Sequence, residues 1–181
     1  YFAASVDQSE RTLYLGISNS AASLLLIISA PLFGLLADRF IKKKLFLSIF
    51  ALVSIASTFM LSLISSNSFI LASMLFSISL LGFMMANVFY DAMLLDFEND
   101  KFNKISSYGY AFGYLGGGLA FVIALLFLYY VGQSDIELIA SKKIVFIFTS
   151  IWWLLFMLPL ILFWKDDKKP DKLKLSIIQS F

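Results

Sequence analysis

Five long apolar runs, at 13–37, 45–64, 69–95, 108–131 and 144–164, hold one charged side chain between them, although the chain carries 14 Lys and Arg and 12 Asp and Glu. That residue is Asp91. A charge at the centre of a membrane helix costs about 2.5–3.5 kcal/mol on insertion scales, so solvation accounts for the partition. About 20 apolar residues let a helix cross a hydrocarbon core of about 30 Å, and every run has that length. The runs must be helices, because a helix satisfies its backbone hydrogen bonds internally and the alternating pattern of a membrane barrel strand is absent. The expected fold is all-α, a polytopic transmembrane helix bundle over 1–164 followed by a cytoplasmic segment at 165–181.

Composition closes the other routes. With 60% hydrophobic and 14% charged residues, the chain is far from the roughly 25% charged make-up of soluble domains. A formal charge of +2 and high hydrophobicity exclude intrinsic disorder. The aromatic residues lie almost wholly inside the apolar runs instead of alternating with basic residues on an exposed face, so no nucleic-acid partner is expected. The absence of Cys and His removes disulfides, thiolate zinc sites, a Cys or Ser/His nucleophile pair and a histidine pH switch. No metal or cofactor is expected, and the partner is the lipid bilayer.

The short connections orient the bundle. Arg39, Lys42, Lys43, Lys44, Lys101, Lys104, Lys165, Lys168, Lys169, Lys172 and Lys174 fall on one side of the membrane, against Arg11, Lys142 and Lys143 on the other. The richer side is expected to be cytoplasmic, which places the connections at 38–44, 96–107 and 165–181 in the cytosol. Lys142 and Lys143 then form a solvated interfacial pair on the outer side, near Asp135 and Glu137. Tyr1 follows no signal-peptide pattern, and the chain is expected to be cut from something larger. The segment at 172–181 has the amphipathic, basic look of a surface helix.

Three features carry chemistry, each beside a plainer reading. Gly34-Leu35-Leu36-Ala37-Asp38-Arg39-Phe40-Ile41-Lys42-Lys43 is, on charge alone, an ordinary cytoplasmic hairpin. It also places a glycine one turn before an acid at the membrane edge, where Asp38 is free to pair with a neighbouring helix end in one conformation and release it in another. Asp91 is the intramembrane carboxylate, the kind that marks ion or proton pathways. It lies only about one turn inside the cytoplasmic end, at 1.5 Å per residue. Three roles are open to it: an inner-gate contact with Arg39 or Lys42, a solute or proton site, and plain interfacial solvation. Asn87 is one turn deeper on the same face, with Tyr90 beside Asp91. Gly109, Gly113 and Gly117 recur every four residues on one face, a small-xxx-small ladder that lets two backbones approach closely. Its plain reading is helix packing. Pro31 and Pro159 predict kinks, and Trp152, Trp153, Trp164, Tyr129 and Tyr130 include natural interfacial belt positions.

The hairpin resembles the signature of the major facilitator superfamily: Gly, three residues, Asp, Arg or Lys, one residue, Gly, two basic residues. Gly34, Asp38, Arg39, Lys42 and Lys43 match, and Ile41 stands where the second Gly is usual. Further along, Asn87-Val88-Phe89-Tyr90-Asp91-Ala92, then Ser106-Ser107-Tyr108-Gly109-Tyr110-Ala111-Phe112-Gly113-Tyr114-Leu115-Gly116-Gly117-Gly118, is similar to the vacuole-effluxer branch of that superfamily. That branch includes fungal vacuolar amino-acid exporters and many bacterial permeases. The resemblance implies that the five runs are helices two to six of a twelve-helix transporter, with the first helix and the C-terminal half as missing partners, and that 165–181 opens the central loop.

It further implies a secondary active transporter of alternating-access type that moves a small polar solute, with amino acids and efflux as the branch's class and direction. The expected membrane is the plasma membrane of a bacterium ahead of a vacuolar one. On this reading Gly34, Asp38, Arg39, Lys42 and Lys43 form a cytoplasmic gate, Asp91 is its charge partner or a coupling site, and Asn87, Tyr90 and Tyr114 line the solute path. Two alternatives stand beside it: a non-transporting scaffold or assembly subunit, and an intramembrane aspartyl protease pairing Asp91 with Asp38. The protease lacks the Gly-x-Gly-Asp half of its signature.

Overall fold

The computed structural model describes residues 8–40, 43–65, 68–95, 97, 99–133 and 135–164, but not the side chains of 8, 9, 11, 36–40, 99, 100, 135 and 136. Five helices follow in chain order: α1 (Gln8–Phe40), α2 (Lys43–Leu63), α3 (Phe69–Leu94), α4 (Asn99–Val131) and α5 (Asp135–Phe163). All five are long and apolar enough to cross a membrane, and no strand occurs among the described residues. The fold is an all-α bundle. The surface agrees with a lipid solvent: Ile27, Ile28, Leu63 and Ile70 are each about two-thirds exposed, which an aqueous surface of this size would not tolerate.

The helices extend beyond the apolar runs where the flanking residues are polar. Helix α4 starts at Asn99 and α5 at Asp135, so Lys101, Lys104, Lys142 and Lys143 ride on helices through the interface and do not lie in loops. Backbone hydrogen bonds stay satisfied in a helix at every depth, whereas a loop there would expose them. Pro31 and Pro159 lie within α1 and α5, which run on as single helices through both. The segment at 165–181, with the expected surface helix, lies outside the described residues.

Helices α2 and α3 make the tightest pair. At Gly82 a β-carbon would stand 2.8 Å from the Phe50 carbonyl oxygen and 3.1 Å from the Ser54 β-carbon, so only glycine admits this approach. The contact is also polar. Ser54 Oγ donates to the Ser79 carbonyl at 2.5 Å, and the Ser79 hydroxyl lies 3.1 Å from Ser54 Oγ and 2.7 Å from Thr58 Oγ1. Between lipid-facing surfaces there is no hydrophobic drive to associate, so close packing and such hydroxyl pairs must hold helices together.

The half of this pair nearer the start of α2 forms the main apolar core. Buried Leu47, Met85, Phe89 and Met93 pack together, with the rings of Phe46 and Phe50 each stacked with that of Phe89 at 5.3 and 5.7 Å. Helix α1 joins from one side: Phe33 meets Phe50 edge-on at 5.1 Å, and Ser29 donates to the Met85 sulfur at 3.7 Å. Helix α5 joins through Met157, Trp153 and Ile161 against Ala51, Ile55 and Ala86.

Two lysines at the start of α2 lock helix ends. Lys43 Nζ donates to the Ala92 carbonyl at 2.9 Å and Lys44 Nζ to the Trp164 carbonyl at 2.7 Å. Each supplies a cation to terminal carbonyls that have no partner further along their own helix. One short basic turn thereby ties the ends of α3 and α5 to the start of α2.

Helix α4 is different. No residue of its span is buried within the bundle. It meets α5 at their shared turn, where Gly132 faces Leu138, and meets α3 around Tyr90 and Asp91. Between those two levels it stands away from the rest.

Candidate functional site

The gap left by α4 is a cavity of about 840 Å³. Asn87, Tyr90, Phe83 and Ala86 of α3 form one wall, and Gly109, Tyr110, Gly113, Tyr114 and Gly117 of α4 form the facing one. Trp153, Phe156, Met157 and Leu160 of α5 complete the side, and Leu47 and Ala51 of α2 form the floor. The periodicity of 3.6 residues explains the α4 wall, because 109, 110, 113, 114 and 117 share one face.

Asn87, Tyr90 and Tyr114, which come from two helices, thus meet on one cavity together with the ladder Gly109, Gly113 and Gly117. Gly109 faces the Tyr90 hydroxyl, which occupies the place its β-carbon would take. Gly113 and Gly117 have open space within 4 Å of that place. Asn87 is exposed and Tyr90 half-buried, while Tyr114 is 80% exposed and leans into the opening.

At the rim nearer the end of α3, Tyr110 donates its hydroxyl to Asp91 Oδ1 at 2.6 Å, and its ring stands at 90° to that of Tyr90 with centroids 6.3 Å apart. A phenol donating to a carboxylate is a charge-assisted bond, shorter than a neutral pair. The cavity lining is aromatic and hydroxyl-bearing, and its described side chains include no charged group. A solute there would meet amide and phenol hydrogen-bonding groups and ring faces, with the carboxylate at the edge.

The motif expected to form a gate lies only partly among the described residues. Gly34 is half-buried near the end of α1, with open space where a β-carbon would stand. Asp38 and Arg39 occupy the last turn of α1, but their side chains, and Lys42 altogether, lie outside the described residues. Lys43 is held at the end of α3, one residue from Asp91. The expected pairing of Asp91 with Arg39 or Lys42 therefore falls outside the description.

Sequence reasoning missed Tyr110 as the partner of Asp91, and it missed Phe83, Trp153 and Phe156 as cavity wall. Trp153, grouped with the interfacial belt, instead packs edge-on against Phe83 at 5.4 Å inside the bundle. A signal for Tyr110 existed: it shares the ladder face with Tyr114 at four-residue spacing. No signal reported which face of α5 turns inward, since that helix is apolar all round.

Comparison with known proteins supplies the family. The model described as "Vacuole effluxer Atg22 like" matches residues 10–102 and 96–180, nearly the whole chain. This chain belongs to the vacuole effluxer Atg22-like family. It is 34% identical, over 159 residues, to an uncharacterized MFS-type transporter, YxiO, of Bacillus subtilis (strain 168). The matched stretch is 86% of this chain and 37% of that relative, so the chain spans little more than a third of the curated relative's length. No solved structure matches. The Atg22-like match and the relative both point to major facilitator transporters and away from enzymes, and the protease alternative is set aside. The chain is an integral membrane portion of a larger protein of that superfamily.

Proposed function

We propose that this chain is part of the N-terminal half of a secondary transporter that moves a small polar solute, amino acids by class, by alternating access. The observation that carries the reading is the family match over 10–102 and 96–180, on a bundle whose polar groups Asn87, Tyr90 and Tyr114 gather on one cavity. Binding between packed helices near such groups is how secondary transporters hold solutes. In this reading Gly34, Asp38, Arg39, Lys42 and Lys43 form the cytoplasmic gate, and Asp91 fastens or releases it. The membrane is the plasma membrane of a bacterium, as befits kinship with a Bacillus protein, with 38–44, 96–107 and 165–181 in the cytosol.

The test uses the full-length parent in proteoliposomes loaded with a mixture of labelled amino acids. Transport should be measurable, and Asp38→Asn should lower it by at least tenfold at equal protein level. Unchanged flux would remove the gate. Thiols introduced at 87, 90 and 114 should react with a water-soluble maleimide; complete protection of all three would favour a scaffold instead.

A further inference from the structure

We infer that the cavity bounded by α3, α4 and α5 takes its solute by a positively charged end, an ammonium or other small organic cation, with Asp91 as the counter-charge and the surrounding rings as the cradle. The inference rests on the proposal that this cavity is the solute path and adds the charge of what travels there.

The charges argue first. The cavity lining contains no Lys or Arg, and the chain has no His, so an anionic group would find no counter-charge among the described lining residues. The one charged residue of α3 is Asp91, at the rim. A carboxylate within a membrane span faces a bundle interior or a water-filled cavity and finds a partner there. Tyr110 takes up Oδ1, and among the described residues Oδ2 accepts no hydrogen bond. That oxygen is open to a cation in the conformation in which the gate has released Asp91.

The rings argue the same way. Phe83, Tyr90, Tyr110, Tyr114, Trp153 and Phe156 line the cavity from three helices. An aromatic face is negative, and it holds a cation within about 6 Å of the ring centroid more strongly once water is excluded. The two tyrosines beside the carboxylate are fixed in place. Tyr110 is held by its bond to Asp91, and Tyr90 stands against the Tyr110 ring at 90° with its hydroxyl where a β-carbon of Gly109 would be. An uncharged apolar solute would match the rings and leave the acid without a partner, and an anion would be repelled by it. A cation answers both. Asn87 adds an amide that can hydrogen-bond the rest of the solute.

The experiment is equilibrium dialysis of radiolabelled phenethylamine, and of 3-phenylpropionate as an anion of matched size, against the full-length parent in detergent. The amine should bind at least tenfold more tightly than the acid. Asp91→Asn should erase that preference. Tyr90→Phe, which keeps the ring, should hold the amine within twofold of the parent, whereas Tyr90→Leu should weaken it severalfold. Glu10→Gln, in the first turn of α1, should change nothing. The ratio of amine to acid is read on the unmutated protein and so does not depend on any variant folding. No binding of the amine, equal or tighter binding of the acid, a preference that survives Asp91→Asn, or unchanged affinity in Tyr90→Leu would each overturn the inference. Amino-acid flux in proteoliposomes without the amine preference would leave the transport proposal standing and remove this one; the preference without flux would do the reverse.

Discussion

Tyr110 holds Asp91 from the neighbouring helix, its hydroxyl donating to Oδ1 at 2.6 Å. This hydrogen bond joins side chains of α3 and α4 where the two helices come together before α4 diverges. Whatever moves α4 must break or carry this bond.

Tyr110→Phe and Asp91→Asn should each lower the thermal unfolding midpoint in detergent by a small amount, and together by less than the sum. Intramembrane side-chain bonds average about 0.6 kcal/mol in such cycles, and partial exposure of both groups keeps the coupling near that value. Strict additivity in a double-mutant cycle would mean that the two residues do not act as a pair.

Gly82→Ala should destabilise the bundle far more. The added carbon would meet the Phe50 backbone carbonyl at 2.8 Å, and backbone cannot step aside as a side-chain tip can. Overpacking of this kind costs about 1–3 kcal/mol. A calorimetric or scanning-fluorimetry midpoint equal to that of the parent would contradict the tight α2–α3 interface.

Ser54→Val should also destabilise, by more than Ser54→Ala. Alanine removes the hydroxyl that meets Ser79 but leaves Ser79 bonded to Thr58, so its loss should stay near about 0.6 kcal/mol. Valine adds bulk at a position with no exposed surface. Equal midpoints for the two variants would show that the interface is looser than described.

Lys44→Met frees the Trp164 carbonyl, whose cation is supplied from α2. The last turn of α5, around 160–164, should then exchange its amide hydrogens faster while the middle of α5 does not. Uniform exchange along the helix in both proteins would rule out a capping role for Lys44.

Asn87→Ala in the reconstituted parent should raise the solute concentration for half-maximal flux severalfold with little change in the maximum, as loss of a binding contact made equally in ground and transition states does. A fall in maximal flux alone would move Asn87 from the solute to the conformational change.

The five helices, their membrane setting and their basic side were legible from residue order, because the cost of placing a charge in hydrocarbon is large and acts on each residue independently of its neighbours. Asn87, Tyr90, Tyr114 and the glycine ladder were also legible, as polar or small residues standing out in apolar surroundings. The inward faces of α1 and α5 were not. Leu26 of α1 and Leu160 of α5 pack on the core while Leu24 and Leu162 face outward, and nothing in their chemistry separates them. When lipid and protein interior are equally apolar, hydrophobic periodicity carries little information about which side is inside.

By itself, then, the amino-acid order determined that this protein consists of membrane helices, where each begins to be apolar and which ends carry most of the basic residues, since these follow from solvation one residue at a time. Only the tertiary structure decided that Tyr110 reaches Asp91, that Lys43 and Lys44 cap α3 and α5, and that α4 stands off to leave a groove. Those are relations between helices, set by steric fit and by hydrogen-bond geometry across tens of residues of chain, to which no single segment's solvation is sensitive.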